Sequence, residues 1–334
     1  MIKYQIIDPK DLKTLVDELK SKRFIYERLG SLGLWFGQPA RFLHLPDFVT
    51  ADSLSKLLRG DFSCFLKNMN EKGAAPQIAG AFKLEINAHP SLNALYAAAG
   101  PSRQEFIDGE HKYATWSAVR GFINNQELMQ TNLNPTGKIA YPIAAVFHSA
   151  ATADQQPRLK TTAVFPYYGI CRDGSSKLLD MEDTPFKKLE CYYESSLEMG
   201  LLRSIGGCPH KAIGDLQLVG VPHKLVDHFN LNLISERKPE GGFRNPRKPL
   251  SEEELQDRWR REAKSLGWGP AHVELFVKRL QFNTALFGAR RALQDKIESL
   301  LQLPKAVGRT IAPLKSKLIN SVHVTNKKDQ SHSH

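Results

Sequence analysis

Residues 141 to 180, YPIAAVFHSAATADQQPRLKTTAVFPYYGICRDGSSKLLD, constrain the fold more tightly than any other stretch of the chain. Tyr141 to His148 and Lys160 to Ile170 are apolar, β-branched and aromatic runs, and the segment between them is rich in Ala, Thr, Gln and Pro. That pattern reads as strand, excursion, strand, a hairpin able to sit at the centre of a sheet. Arg172-Asp173-Gly174 is turn chemistry, and Lys177 to Asp180 resumes an extended pattern before a helical one begins.

The flanking sequence reads as elements packed around this hairpin. Leu12, Leu15, Val16 and Leu19 recur at helical spacing in a helix expected over Pro9 to Gly30, and Ala51 to Gly60 reads as a second helix starting at Thr50 or Ala51. Phe82 to Ile86 alternates apolar and polar, a strand ended by Pro90. Phe106, Ile107, His111, Ala114, Ala118 and Phe122 keep helical spacing over Arg103 to Asn124, with His111 read as helix surface. A helix over 183 to 205, a short strand at Leu216 to Pro222 and a helix from Pro222 follow. Arg237 to Pro249 is Gly/Pro/Arg-rich and lacks apolar periodicity. Ser251 and Glu254 then form a capping-box pattern, and helical patterns continue over 270 to 288 and 289 to 301.

The net charge of +11 implies a polyanionic partner or an acidic surface. Lys and Arg cluster in Arg237 to Lys248 and Lys305 to Lys328, so nucleic acid is the first partner to consider, against a soluble chain with merely solvated lysines. No run of eighteen apolar residues occurs, and Met1-Ile2-Lys3-Tyr4-Gln5 lacks the secretory pattern, so no membrane partner and a cytoplasmic location are expected. Cys64, Cys171, Cys191 and Cys208 form no C-x-x-C pair and read as free, largely buried thiols.

The hairpin also resembles the metal-binding core of the TrwC/TraI-type conjugative relaxases, HUH endonucleases that nick one DNA strand at a plasmid transfer origin. In that family an apolar strand ends in His, a loop with Asp-Pro-X-Leu follows, and the next strand opens His-X-His and runs into Ala-Val-Val. Here Val146-Phe147-His148 is similar to the strand end, Gln156-Pro157-Arg158-Leu159 to the loop and Lys160 to Phe165 to the second strand, with Asp173-Gly174 and Leu179-Asp180 as the sequel. Leu34 to Leu45 resembles the family's Trp-X-Gly segment, and Leu255 to Ala263 its Leu-X-X-Arg-Trp-Arg-X-Glu-Ala pattern. The resemblance spans about residues 20 to 265. No G-x-x-x-x-G-K-[ST] phosphate loop occurs, so the helicase half of larger members is absent from this sequence.

What the resemblance implies is then decided by its departures. The family's His-X-His reads here as Lys160 and Thr162, and Lys83 stands where an Asp supports a metal-binding His. Three imidazoles hold a divalent ion that polarises a phosphodiester. Lysine repels a cation and threonine is a weak ligand, so His148 reads as vestigial or as an ordinary strand-end imidazole satisfied by a backbone group. Of the family's two tyrosine pairs, counted back from Trp35, the first falls at Asp17-Glu18 and the second at Ile25-Tyr26, which leaves Tyr26 as the one candidate nucleophile.

The expectation is therefore an α/β chain of the α+β type, with a relaxase-like central antiparallel sheet flanked by helices and a helical C-terminal extension. The expected segments are a relaxase-like domain at 1–235, a basic linker at 236–250, helices at 251–303 and a basic tail at 304–334. The implied function is a catalytically degenerate DNA-binding protein in mobilisation or replication of a mobile element, using no cofactor. Lys83 and Lys160 would hold a phosphate in the vacated metal position, with Arg158, Thr162 and Arg172 nearby and Arg244, Arg247 and Lys248 on a basic finger. Single-stranded or hairpin DNA is the expected partner, alongside a relaxase or coupling protein. Two alternatives stay open: a nickase using Tyr26, which alone would call for a divalent metal, and a protein-interaction module.

Overall fold

The computed structural model describes residues 2–17, 19, 33–60, 80–133, 139–152, 155–172, 175–179, 186–205, 210–212, 215–218, 220–234 and 250–281. The chain divides into two units, Met1–Gln281 and Phe282–His334, and all described residues belong to the first. Its main sheet has strands β1 (Ile2–Ile7), β2 (Leu34–Phe36), β3 (Ala81–Asn87), β4 (Ala144–Ala151) and β5 (Pro157–Pro166), in the order β1-β3-β5-β4-β2. Every pairing is antiparallel. The β4–β5 hairpin lies in the middle, as its doubly apolar pattern predicts, and both strands are buried along most of their length.

Strand alternation divides the sheet into two faces. On one, Phe82, Leu84, Ile86, Ala144, Val146, Ala163 and Phe165 form a single core with Ile107, Ala114, Ala118, Val119 and Phe122 of α5 (Pro101–Leu133). Alanine at 114 and 118 lets the helix axis approach the sheet, and Phe122 fills the space between Phe82 and Phe165, at ring-centroid distances of 5.7 and 4.6 Å. Helix α6 (Phe186–Ile205) adds Leu189, Tyr193, Leu197 and Leu201 to this core. Each such fully buried side chain stabilises the fold by roughly 2 kcal/mol.

The other face is half apolar and half polar. Ile7, Ala81, Ala145, Phe147 and Val164 are covered by Leu12, Leu15 and Val16 of helix α1 (residues 12–17), by Leu19, and by Leu54 and Leu58 of α3 (Ala51–Leu58), which follows the short helix α2 (Pro39–Phe42). Thr50 caps α3 through a reciprocal box with Ser53. Beyond this cover the same face carries Lys83, Glu85 and Asn87 on β3, Lys160 and Thr162 on β5 and Ser149 on β4.

Several boundaries differ from the sequence reading, each for a physical reason. β1 was hidden because Lys3, Tyr4, Gln5 and Ile6 are all exposed on a sheet edge and show no burial period. The Lys160 to Ile170 run breaks after Pro166, which has no N–H for the ladder, and Tyr168–Ile170 becomes β6, paired with β7 (Ser176–Leu178) in a separate sheet. Pro90 ends β3 but also opens helix α4 (Pro90–Ala98), capped by the His89 ring. Strands β8 (His210–Ala212) and β9 (Asp215–Gln217) form a small hairpin before α7 (His223–Ile234).

The helical region expected as a C-terminal extension joins this unit. Helix α8 (Glu252–Ser265) is capped by Ser251 and Glu254 as the box pattern predicts, and α9 covers 270–281. Leu255, Trp259, Ala263, Val273 and Val277 enter the same core as the sheet. Trp259 packs on Tyr96 of α4 and donates Nε1–H to the Gln155 carbonyl at 2.9 Å, while Arg258 binds the same carbonyl in the β4–β5 loop. The linker positions 236–249 and the segment 304–334 lie outside the described residues. Cys171 is buried, but Cys191 is exposed on α6, against the expectation of buried thiols. Among the described residues no helix is long and apolar enough to cross a membrane.

Candidate nucleic-acid interface

The polar half of the second sheet face is built from alternate residues of β3 and β5. Lys83 and Glu85 are two apart on β3 and therefore point the same way, and Lys160 sits opposite Asn87 on β5. Glu85 lies between the two cations, with Oε1 3.2 Å from Lys83 Nζ and 2.7 Å from Lys160 Nζ. The Lys83 side chain is 9% exposed, Lys160 18% and Glu85 21%, so the cluster lies at the edge of solvent rather than in it. Burial pushes the Glu85 carboxyl up, but the hydrogen bond and charge of Lys160, joined by those of Lys83, outweigh it and hold the group at about 2. Two ammonium groups against one carboxylate leave this trio with an excess positive charge.

Arg158 extends the same face. Its Nε donates to Asn87 Oδ1 at 3.2 Å, beside the Lys160 position. Thr162 pairs in register with Glu85 and is buried, as is Ser149, the partner of Lys160 on β4. The structure thus brings together Lys83, Lys160, Arg158 and Thr162. Arg172 lies apart, after β6, where its guanidinium rests over the Tyr141 ring at 5.6 Å. Tyr26, Arg244, Arg247 and Lys248 lie outside the described residues.

His148 does not join this cluster. It is the register partner of Thr161, not of Thr162 or Lys160, and so points to the opposite face, under α5. Ser149, next to His148 and the register partner of Lys160, is on the lysine face instead, and the irregular register between Ser149 and Ala151 lies beyond both. His148 is satisfied by side chains rather than by backbone: Nε2 lies 2.6 Å from Asp108 Oδ1 and Nδ1 3.0 Å from Thr161 Oγ1. Thr161 donates onward to Thr115, whose hydroxyl donates to the Lys112 carbonyl. Lys112 Nζ also pairs with Asp108 at 2.6 Å. Burial disfavours the charged carboxylate, but His148 and Lys112 overcome it and hold Asp108 well below the usual carboxylate range. Burial lowers the His148 pKa, and the Asp108 hydrogen bond opposes that shift.

His111 is fully buried rather than on the helix surface. Its Nδ1 meets Tyr193 Oη at 3.0 Å, its ring lies 5.4 Å from that of His148, and Nε2 has no hydrogen-bond partner among the described residues. Burial drives its pKa well below the ordinary imidazole value. His111 shares the helix face of Ile107, Ala114, Ala118 and Phe122, so the 3.6-residue period would have assigned it to the core.

Glu85 and Asn87 on the lysine face, and Asp108 beside His148, are residues that sequence reading passed over. For Glu85 a signal existed: in an alternating strand it must share the face of Lys83. Asp108 had none, because its partner is forty residues away and on another element.

The residues on the lysine face do not fit a divalent metal. Ammonium groups repel a cation, its one described carboxylate is already taken by both lysines, and among the described residues no group of three His, Cys, Asp or Glu could hold an ion.

No family model and no curated protein matches the chain. Solved structures do. The chain is similar to the conjugative relaxase TrwC in complex with oriT DNA, in a metal-free and a metal-bound structure, each at 17% identity over 80% of this chain and 99% of that chain, with TM-score 0.56. It is also similar to TrwC complexed with a 27-mer DNA comprising the recognition hairpin and the cleavage site, at 17% identity and TM-score 0.53. Together with the five-stranded antiparallel sheet and its helices, these likenesses establish that the chain has a TrwC-type relaxase fold.

Proposed function

We propose that this chain is a DNA-binding protein of relaxase fold that holds a strand without a metal-dependent cut, acting in mobilisation or replication of a mobile element. The observation that carries the reading is the Lys83–Glu85–Lys160 cluster, on the sheet face that holds two of the three positions where the resemblance puts metal ligands, Lys160 and Thr162. In TrwC structures of the same fold the bound molecule is oriT DNA, including a recognition hairpin. A phosphodiester entering this face meets two ammonium groups whose directions Glu85 already holds, and it can replace the carboxylate as their anionic partner. Arg158 adds a third cation on the same side. The overall charge of +11 favours the encounter at low salt. A relaxase or a coupling protein is the protein partner consistent with that role.

The test is a gel-shift and cleavage assay on labelled single-stranded, hairpin and duplex oligonucleotides with magnesium, manganese or EDTA. The reading expects retardation without cleavage in every condition, and a weaker, less salt-dependent complex for the Lys83→Ala/Lys160→Ala double variant. Cleavage with a covalent adduct, lost in Tyr26→Phe, would establish the nickase instead. No retardation near physiological salt would favour a protein-interaction role.

A further inference from the structure

We propose that the groove between α8 and the start of α9 is a second anion site, which takes the phosphate backbone of a nucleic acid outside the sheet face. It is an open groove of about 450 Å³ lined by Asp257, Arg260, Arg261, Lys264 and Pro270, three cations against one carboxylate. The spacing along α8 puts residues 257, 260, 261 and 264 on one side of the helix, one turn apart.

The carboxylate is already committed. Arg260 binds Asp257 Oδ1, and its other nitrogen donates to Gln104 Oε1 at 3.0 Å. Gln104 is itself buried and donates to the Tyr96 carbonyl at 2.9 Å, so the Arg260 guanidinium is held from two sides. Arg261 and Lys264 are exposed, and among the described residues neither has a carboxylate within ion-pair distance. Arg261 makes only a long bond to the Asp257 carbonyl, 3.4 Å, which orients the guanidinium and leaves its charge unneutralised. Beside the held Arg260, the two exposed cations are suited to successive phosphates: the planar Arg261 fork grips one and the flexible Lys264 ammonium follows the next.

The inference rests on the reading above only in naming nucleic acid as the ligand. It is tested on the full chain by fluorescence anisotropy with a labelled single-stranded oligonucleotide between 50 and 200 mM salt. The probes are Arg261→Gln/Lys264→Gln and, separately, Lys83→Ala/Lys160→Ala, with folding checked by circular dichroism. Loss of two phosphate contacts lowers the slope of log affinity against log salt by about 1.4, so the advantage of the wild type shrinks about seven-fold across that range. Unchanged affinity and slope in the α8 variant, with the lysine variant impaired, overturns the groove alone. Loss of binding to polyglutamate but not to DNA overturns it in favour of an acidic protein. Absence of DNA binding by the wild type overturns both readings.

Discussion

Replacing Glu85 by Gln keeps the shape of the side chain and removes the charge that sits 3.2 Å from Lys83 and 2.7 Å from Lys160. The interval between an ordinary 4.5 and about 2 corresponds to ~3 kcal/mol at about 1.4 kcal/mol per tenfold change. A fifth of the side chain reaches solvent, 21%, and screening reduces the expected loss to ~1–2 kcal/mol. The sign follows from linkage. A carboxylate whose folded pKa is depressed contributes fully above its unfolded value of 4.5 and loses that contribution as pH falls through about 2. Urea unfolding at pH 7 should therefore show Glu85→Gln less stable than the wild type, and at about pH 3 the deficit should fall below half. Equal stability at neutral pH, or a deficit that ignores acid, would refute the electrostatic argument. The same variant tests the site: with no carboxylate competing for the two ammonium groups, single-stranded DNA should bind more tightly at low salt. Weaker binding would show that Glu85 itself helps to engage the ligand and that the phosphate replacement proposed above does not occur.

Two further predictions concern the opposite face. His148→Ala leaves Asp108 with Lys112 as its remaining charged partner in a half-buried position and should cost ~2–4 kcal/mol in urea unfolding, with little change in DNA affinity because the ring points away from the lysine face. His111 is buried with a strongly lowered pKa, so the unfolded chain takes up a proton that the folded one refuses; stability should fall as pH drops below roughly 6.5, and His111→Phe should flatten the fall between about pH 6.5 and 5. An unaltered pH profile in that variant would assign the acid sensitivity elsewhere.

The sequence by itself determined the centre of the sheet and the helices with a long apolar period. Two long apolar runs separated by a polar excursion can bury themselves only as adjacent inner strands, and the Ser251–Glu254 box could be read because capping is a local reciprocal hydrogen bond. That Lys83 and Lys160 share a face was also legible, once the resemblance aligned their strands. The position of His148 was not. Register is a property of two strands together: pairing with Thr161 rather than with Lys160 or Thr162 turns His148 to the opposite face, and no single run records that. Nor could the edge strand β1 be read, since Lys3 to Ile6 are exposed on both faces and carry no period. Only the tertiary structure decided who neutralises whom. Glu85 between two lysines, and Asp108 between Lys112 and His148, are pairings made partly across elements distant in sequence, and pairing alone determines whether a buried charge supports the fold or opposes it.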